Sequence, residues 1–124
     1  MVLANLFRPR QRRTTSSEQH SRALALQLTG ITLYEQGQYA AAVPCLESAL
    51  SLRTVLGDFH VEQNLLQWLG HCYWNLEQQQ AAYCCYQEAL TLAQALGDHL
   101  SALTLQVTLS SRFSEVAQAS WPGC

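Results

Sequence analysis

Between residues 59 and 76, Val61, Leu65, Leu69, Cys72, Tyr73 and Leu76 recur every three or four positions, the spacing that gathers side chains on one face of an α-helix. Residues 80 to 96 carry the same pattern in Ala82, Cys85, Tyr86, Ala89, Leu92 and Leu96. Extended along the chain, it predicts helices over about 18–35, 39–56, 60–76, 79–96 and 99–114. The breaks between them carry matching punctuation. Gly37 marks a turn, Gly57 and Gly97 suit the left-handed position after a helix end, and Asp58 and Asp98 suit the N-caps that follow. Pro44 stands inside the second helix, where its missing N–H costs the bond to Ala40 and predicts a bend.

Sliding the chain against itself by 40 residues superimposes two units. Gly30 falls on Gly70, Ala42 on Ala82, Cys45 on Cys85, the run 47–50 on 87–90, and Leu56-Gly57-Asp58 on Leu96-Gly97-Asp98. Each unit is therefore helix, short turn, helix. The chain divides into a basic, disordered arm over 1–17, repeat units over 18–57, 58–97 and a partial 98–114, and an irregular tail over 115–124. The lone fifth helix serves as a cap, because the end of a stacked array needs its apolar face covered. Where that cover is poor, the ends associate with one another.

Composition agrees with helices: 21 Leu, 15 Ala and 14 Gln stand against six Gly and three Pro in 124 residues. That length suits one domain with a core of its own. No apolar run approaches a membrane span, which leaves a soluble globular chain. All seven basic residues are Arg, and Arg8, Arg10, Arg12 and Arg13 precede residue 14. Residues 1–17 thus carry +4, while 18–124 carry three Arg against nine acids, a net −6. So acidic a body excludes a domain-wide nucleic-acid footprint. The arm alone is open to other readings: a disordered tail, a mitochondrial transit peptide, or a contact to RNA or an anionic surface.

Five cysteines (Cys45, Cys72, Cys84, Cys85 and Cys124) are an odd number with no secretory leader ahead of them, so a disulfide framework is not expected and the setting is a reducing, cytoplasmic one. Adjacent Cys84 and Cys85 diverge by about 100° on a helix and cannot easily grip one ion. They read as packing residues, with a metal or redox role as the alternative. The chain has no phosphate-binding Gly loop, no Gly-x-Ser-x-Gly and no His-Glu-x-x-His. No catalytic residue, metal or cofactor is therefore assigned, and the chain is read as no enzyme.

The residues Leu69-Gly70-x-x-Tyr73, Ala82, Tyr86 and Ala89, echoed by Gly30, Leu33, Ala42, Leu46 and Ala49, resemble the tetratricopeptide repeat (TPR). The resemblance covers roughly residues 22–112. The 40-residue unit, with its Leu-Gly-Asp join and internal Pro, is similar to the longer subtype of kinesin-light-chain-like and bacterial regulatory arrays. Departures are Thr29 before Gly30, Glu77 and Gln79 at the second turn, and a third unit reduced to Leu105, Leu109 and Ser110. The resemblance implies an all-α, short right-handed α-solenoid of two helix-turn-helix hairpins plus a capping fifth helix.

It also implies a concave groove, lined by the first helix of each unit, that takes a peptide or helix of a partner protein. On that reading Gln27, Ile31, Tyr34, Asn64, Gln67, Trp68, His71, Trp74 and Asn75 line the groove, with Thr104, Val107, Thr108 and Ser111 in the third unit. Trp68 and Trp74 have an alternative: they pack against neighbouring first helices. No Lys or Arg falls in the lining, so a neutral or mildly basic, partly apolar ligand is expected. The function so read is a non-enzymatic adaptor for another protein. Alternatives are a self-associating repeat fragment, a homo-oligomer built through uncapped solenoid ends, and RNA or anionic-surface binding through the Arg arm.

Overall fold

In the computed structural model, residues 15–113 are described. They form five helices: α1 (Ser16–Glu35), α2 (Tyr39–Leu56), α3 (Phe59–Asn75), α4 (Gln79–Leu96) and α5 (His99–Phe113). α1 begins two residues before the expected start, because Thr15 Oγ1 accepts the Glu18 N–H at 3.2 Å and caps it. The arm and the tail lie outside the described residues apart from this first turn.

The joins repeat by 40. Gly57 and Gly97 both take φ +71 after their helices, and the turn within each hairpin is also shared. Gly37 sits at φ +78 and Glu77 at φ +61, with Gln38 N donating to Leu33 O and Gln78 N to Tyr73 O at 2.8 and 2.9 Å. Glu77 thus holds, with a Cβ, a conformation that glycine adopts freely. Pro44 is accommodated inside a continuous α2, where it and Ala40 are both exposed.

The two aspartates differ. Asp98 Oδ1 accepts the Ser101 N–H at 3.2 Å and caps α5 as expected; the Ser101 hydroxyl first, and this backbone N–H second, hold its carboxyl below the ordinary carboxylate range. Asp58 occupies the equivalent place but makes no cap bond; its Oδ2 lies 3.3 Å from Arg53 Nη1. The physical reason is Arg53, only 7% exposed, a charge that needs its partner more than the helix needs a cap. In the second unit the same position is Ala93.

Packing is hairpin upon hairpin. Leu65, Leu69 and Cys72 of α3 close on Ala42, Leu46 and Ala49 of α2, while Leu66 of α3 meets Ala82, Tyr86, Ala89 and Ala93 of α4 and Ala102, Leu105 and Phe113 of α5. Small residues let the helices approach. A Cβ on Gly30 would stand 2.7 Å from the Leu46 side chain, and one on Gly70 2.7 Å from the Tyr86 ring, so each glycine is the slot for the large residue of its own hairpin. The result is an all-α solenoid of two hairpins capped by α5. No helix among the described residues is long and apolar enough to cross a membrane.

Candidate functional site

The nine expected lining residues lie on α1 and α3, and the structure sorts them into three groups. Asn64 is exposed and Gln67 half-buried, and neither amide is engaged by a described residue. Gln27 and Ile31 are half-buried; Ile31 packs against the core beneath, and Gln27 Oε1 is buried with no hydrogen-bond partner among the described residues. Asn75, though exposed, spends its amide on its own helix, donating to His71 O at 2.8 Å.

Tyr34, Trp68, His71 and Trp74 form the third group, a row of rings. Tyr34 meets Trp68 edge-on at 5.2 Å, Trp68 meets His71 at 6.0 Å and His71 meets Tyr86 at 5.5 Å. Trp74 in turn meets Phe113 at 5.2 Å. These are geometries in which the positive edge of one ring addresses the negative face of another. Both tryptophans are half-buried and contact neighbouring first helices, so the packing alternative holds for part of each side chain.

Two residues that the sequence reading left out of the site complete it. Arg112 Nη1 donates to the Tyr86 hydroxyl at 2.6 Å, and that hydroxyl lies 2.6 Å from His71 Nδ1. The guanidinium also lies over the Trp74 ring at 5.2 Å. Direction follows from charge. Burial first, and the Arg112 charge second, hold the His71 pKa below its ordinary value, so the imidazole is neutral at pH 7. Tyr86 then donates to an unprotonated Nδ1 while accepting from Arg112, and burial pushes its own pKa up to about 12. Arg112 thus sets a positive charge beside Trp74, one of the expected lining residues, where the expected lining held no Arg or Lys. Arg112 aligns by the 40-residue register with Cys72, a buried stacking position, and only the reach of its side chain carries its charge to Trp74.

The cysteines behave as a packing set in part. Cys72 is buried and Cys45 and Cys85 half-buried, all as free thiols; burial pushes Cys72 up to about 11 and Cys85 up to about 12, so neither of these two is a ready thiolate. Cys84 departs from the expectation of uncrosslinked thiols, because it is disulfide-bonded. Among the described residues no three metal-ligating side chains converge.

No curated protein and no solved structure matches the chain. The family model described as tetratricopeptide repeat matches it twice, over residues 23–54 and 64–96. These spans take in the body of both hairpins and just over half of the chain, and proteins of this family generally mediate contacts between proteins. With the paired glycine slots and the stacked hairpins, the match makes this chain a member of the tetratricopeptide repeat family.

Proposed function

We propose that the chain is a non-enzymatic interaction module that holds a peptide or helix of a partner protein along α1 and α3. The observation that carries this reading is the pair of unengaged amides, Asn64 and Gln67, beside a rigid aromatic row. Amides of this kind recognise a backbone, and ring edges held by their neighbours bind without much loss of freedom. Gln27, Ile31, Tyr34, Trp68, His71, Trp74 and Asn75 complete the proposed lining, with His71 and Trp74 acting as fixed walls rather than as free hydrogen-bonding groups. Arg112 gives this lining one positive charge, so an acidic or neutral ligand suits it better than a basic one.

The 40-residue register of glycines, turns and joins supports the longer tetratricopeptide subtype as part of this reading. A cytoplasmic setting belongs to it too; the three free thiols support that setting, and the disulfide at Cys84 runs against it.

The test is a random peptide library screened against the wild-type chain and an Asn64→Glu, Gln67→Glu variant of equal helicity by circular dichroism. Peptides retained by the wild type and lost by the variant are the expected result. Identical peptide sets for the two proteins would remove the groove as the binding surface.

A further inference from the structure

Groups from three helices meet at one oxygen. The Tyr86 hydroxyl of α4 accepts from Arg112 Nη1 of α5 at 2.6 Å and donates to His71 Nδ1 of α3 at 2.6 Å. The guanidinium and imidazole nitrogens therefore lie at most about 5 Å apart. An oxygen with one hydrogen serves both neighbours in this way only while Nδ1 is an acceptor. A proton on His71 turns Nδ1 into a donor. Two cationic donors then address the same oxygen, and the Tyr86 hydrogen loses its acceptor.

One of the two must leave, and packing decides which. His71 is held among the rings of Tyr34, Trp68 and Tyr86, at 6.2, 6.0 and 5.5 Å. Arg112 is half-buried in the last turn of α5, and no carboxylate pairs with it among the described residues. A long cationic side chain at the surface returns to water readily. Phe113 beside it is fully buried and meets Trp74 and Tyr83, so α5 keeps its place when the guanidinium swings out.

We propose that protonation of His71 releases Arg112 from Tyr86 and Trp74, opening the Trp74 ring and passing the positive charge of the lining from the α5 edge to His71. As a control on ligand binding this rests on the groove reading; the release itself does not. Near neutral pH the Trp74 end suits an acidic side chain, and in acid it suits an aliphatic or aromatic one. The other groups around His71 keep their charge. Tyr34 faces it from α1, Tyr86 from α4 and Arg112 from α5, with Cys72 and Cys85 near Tyr86. Phenols and guanidiniums change charge only above about pH 9, and burial holds both thiols protonated. No carboxylate pairs with His71 among the described residues, and His20, His60 and His99 lie exposed near helix starts.

NMR spectra of the free full chain between about pH 7.5 and 5, with helicity checked at each point, test the release. The expected result is a set of nuclear Overhauser contacts between the Arg112 side chain and the Trp74 ring that is present at neutral pH. These contacts vanish with the midpoint of the His71 imidazole signals, which lies below 6.5. In His71→Gln, which still offers Tyr86 an acceptor, they persist throughout. In Arg112→Met, a half-buried site that the fold tolerates, the His71 midpoint rises because a neighbouring charge is gone. Contacts that outlast the His71 titration overturn the proposal. So does their loss in His71→Gln, or a His71 midpoint indifferent to Arg112→Met. No ligand enters these spectra, so they judge the release whether or not the groove binds. The peptide screen, repeated at both ends of the pH range, judges its use: retained sets that differ for the wild type and coincide for Arg112→Met are expected, and sets that coincide for both overturn the control of binding.

Discussion

Replacing Tyr86 by Phe removes one oxygen and leaves the ring in the slot above Gly70, so any loss of stability reports on the hydroxyl rather than on a cavity. That hydroxyl joins three helices: it belongs to α4, accepts from Arg112 of α5 and donates to His71 of α3. A hydrogen bond to a charged group contributes about 1.5–3 kcal/mol, and a buried acceptor left alone costs about 1–3 kcal/mol. Arg112 is only half-buried and rehydrates in the variant, so the two losses do not sum in full. We expect about 1.5–3 kcal/mol overall. For a domain near 100 residues each kcal/mol moves Tm by about 4–8 °C, so the midpoint of the 222 nm circular dichroism transition should fall by roughly 6 °C or more. Arg112→Met keeps the apolar stem over Trp74 and removes the donor; combined with Tyr86→Phe it should be less than additive, with a coupling of about 0.5–3 kcal/mol. An unchanged midpoint in Tyr86→Phe, or strict additivity with Arg112→Met, would refute the network as a stabilising link.

Two further outcomes follow from the geometry. Glu77→Gly relieves a side chain held at φ +61; the strain released is about 1–2 kcal/mol and the added freedom of the unfolded chain offsets about 0.4–1 kcal/mol, so chemical denaturation should show equal or higher stability, and a clear loss would mean that the Glu77 side chain makes contacts of its own. His71 titrates below its ordinary value of 6.5 in the folded chain, so in the window beneath 6.5 the unfolded state binds more protons. The stabilisation is complete above 6.5 and is lost as pH falls through the folded value. Thermal melts between pH 7.5 and 5 should show a falling midpoint that His71→Gln flattens, and an equal slope in that variant would place the acid sensitivity elsewhere.

Much of the fold was legible because it is local. The glycines at 57 and 97, the spacing of apolar residues on α3 and α4, and the 40-residue recurrence each depend on a helical turn or a short join, and each appears where the periodicity put it. Asp58 shows where the same reasoning fails. Its place before α3 is that of a cap, yet its partner is Arg53, and only burial of Arg53 by the neighbouring helices decides between the two roles. Glu77 carries the opposite lesson: the hairpin turn forms without its glycine because Gln78 and Trp74 make the same backbone bonds as their counterparts in the first unit.

The candidate site divides along the same line. The amphipathic face of α3 names Asn64, Gln67, Trp68, His71 and Trp74 together, since helical spacing alone sets them side by side. What each can do was settled by helices distant in sequence. Tyr86 and Arg112 are 15 and 41 residues from His71, and no periodicity relates a hydroxyl on one helix to a guanidinium on another. The sequence by itself thus determined the helices, their pairing into hairpins and the row of polar and aromatic residues along one face of α3, because those are set by the turn of a helix and the length of a join. Tertiary structure alone decided which polar groups of that row stay unengaged among the described residues and which charge lies over Trp74. Burial and partner choice depend on how side chains from separate helices meet, and the chain order does not encode that meeting locally.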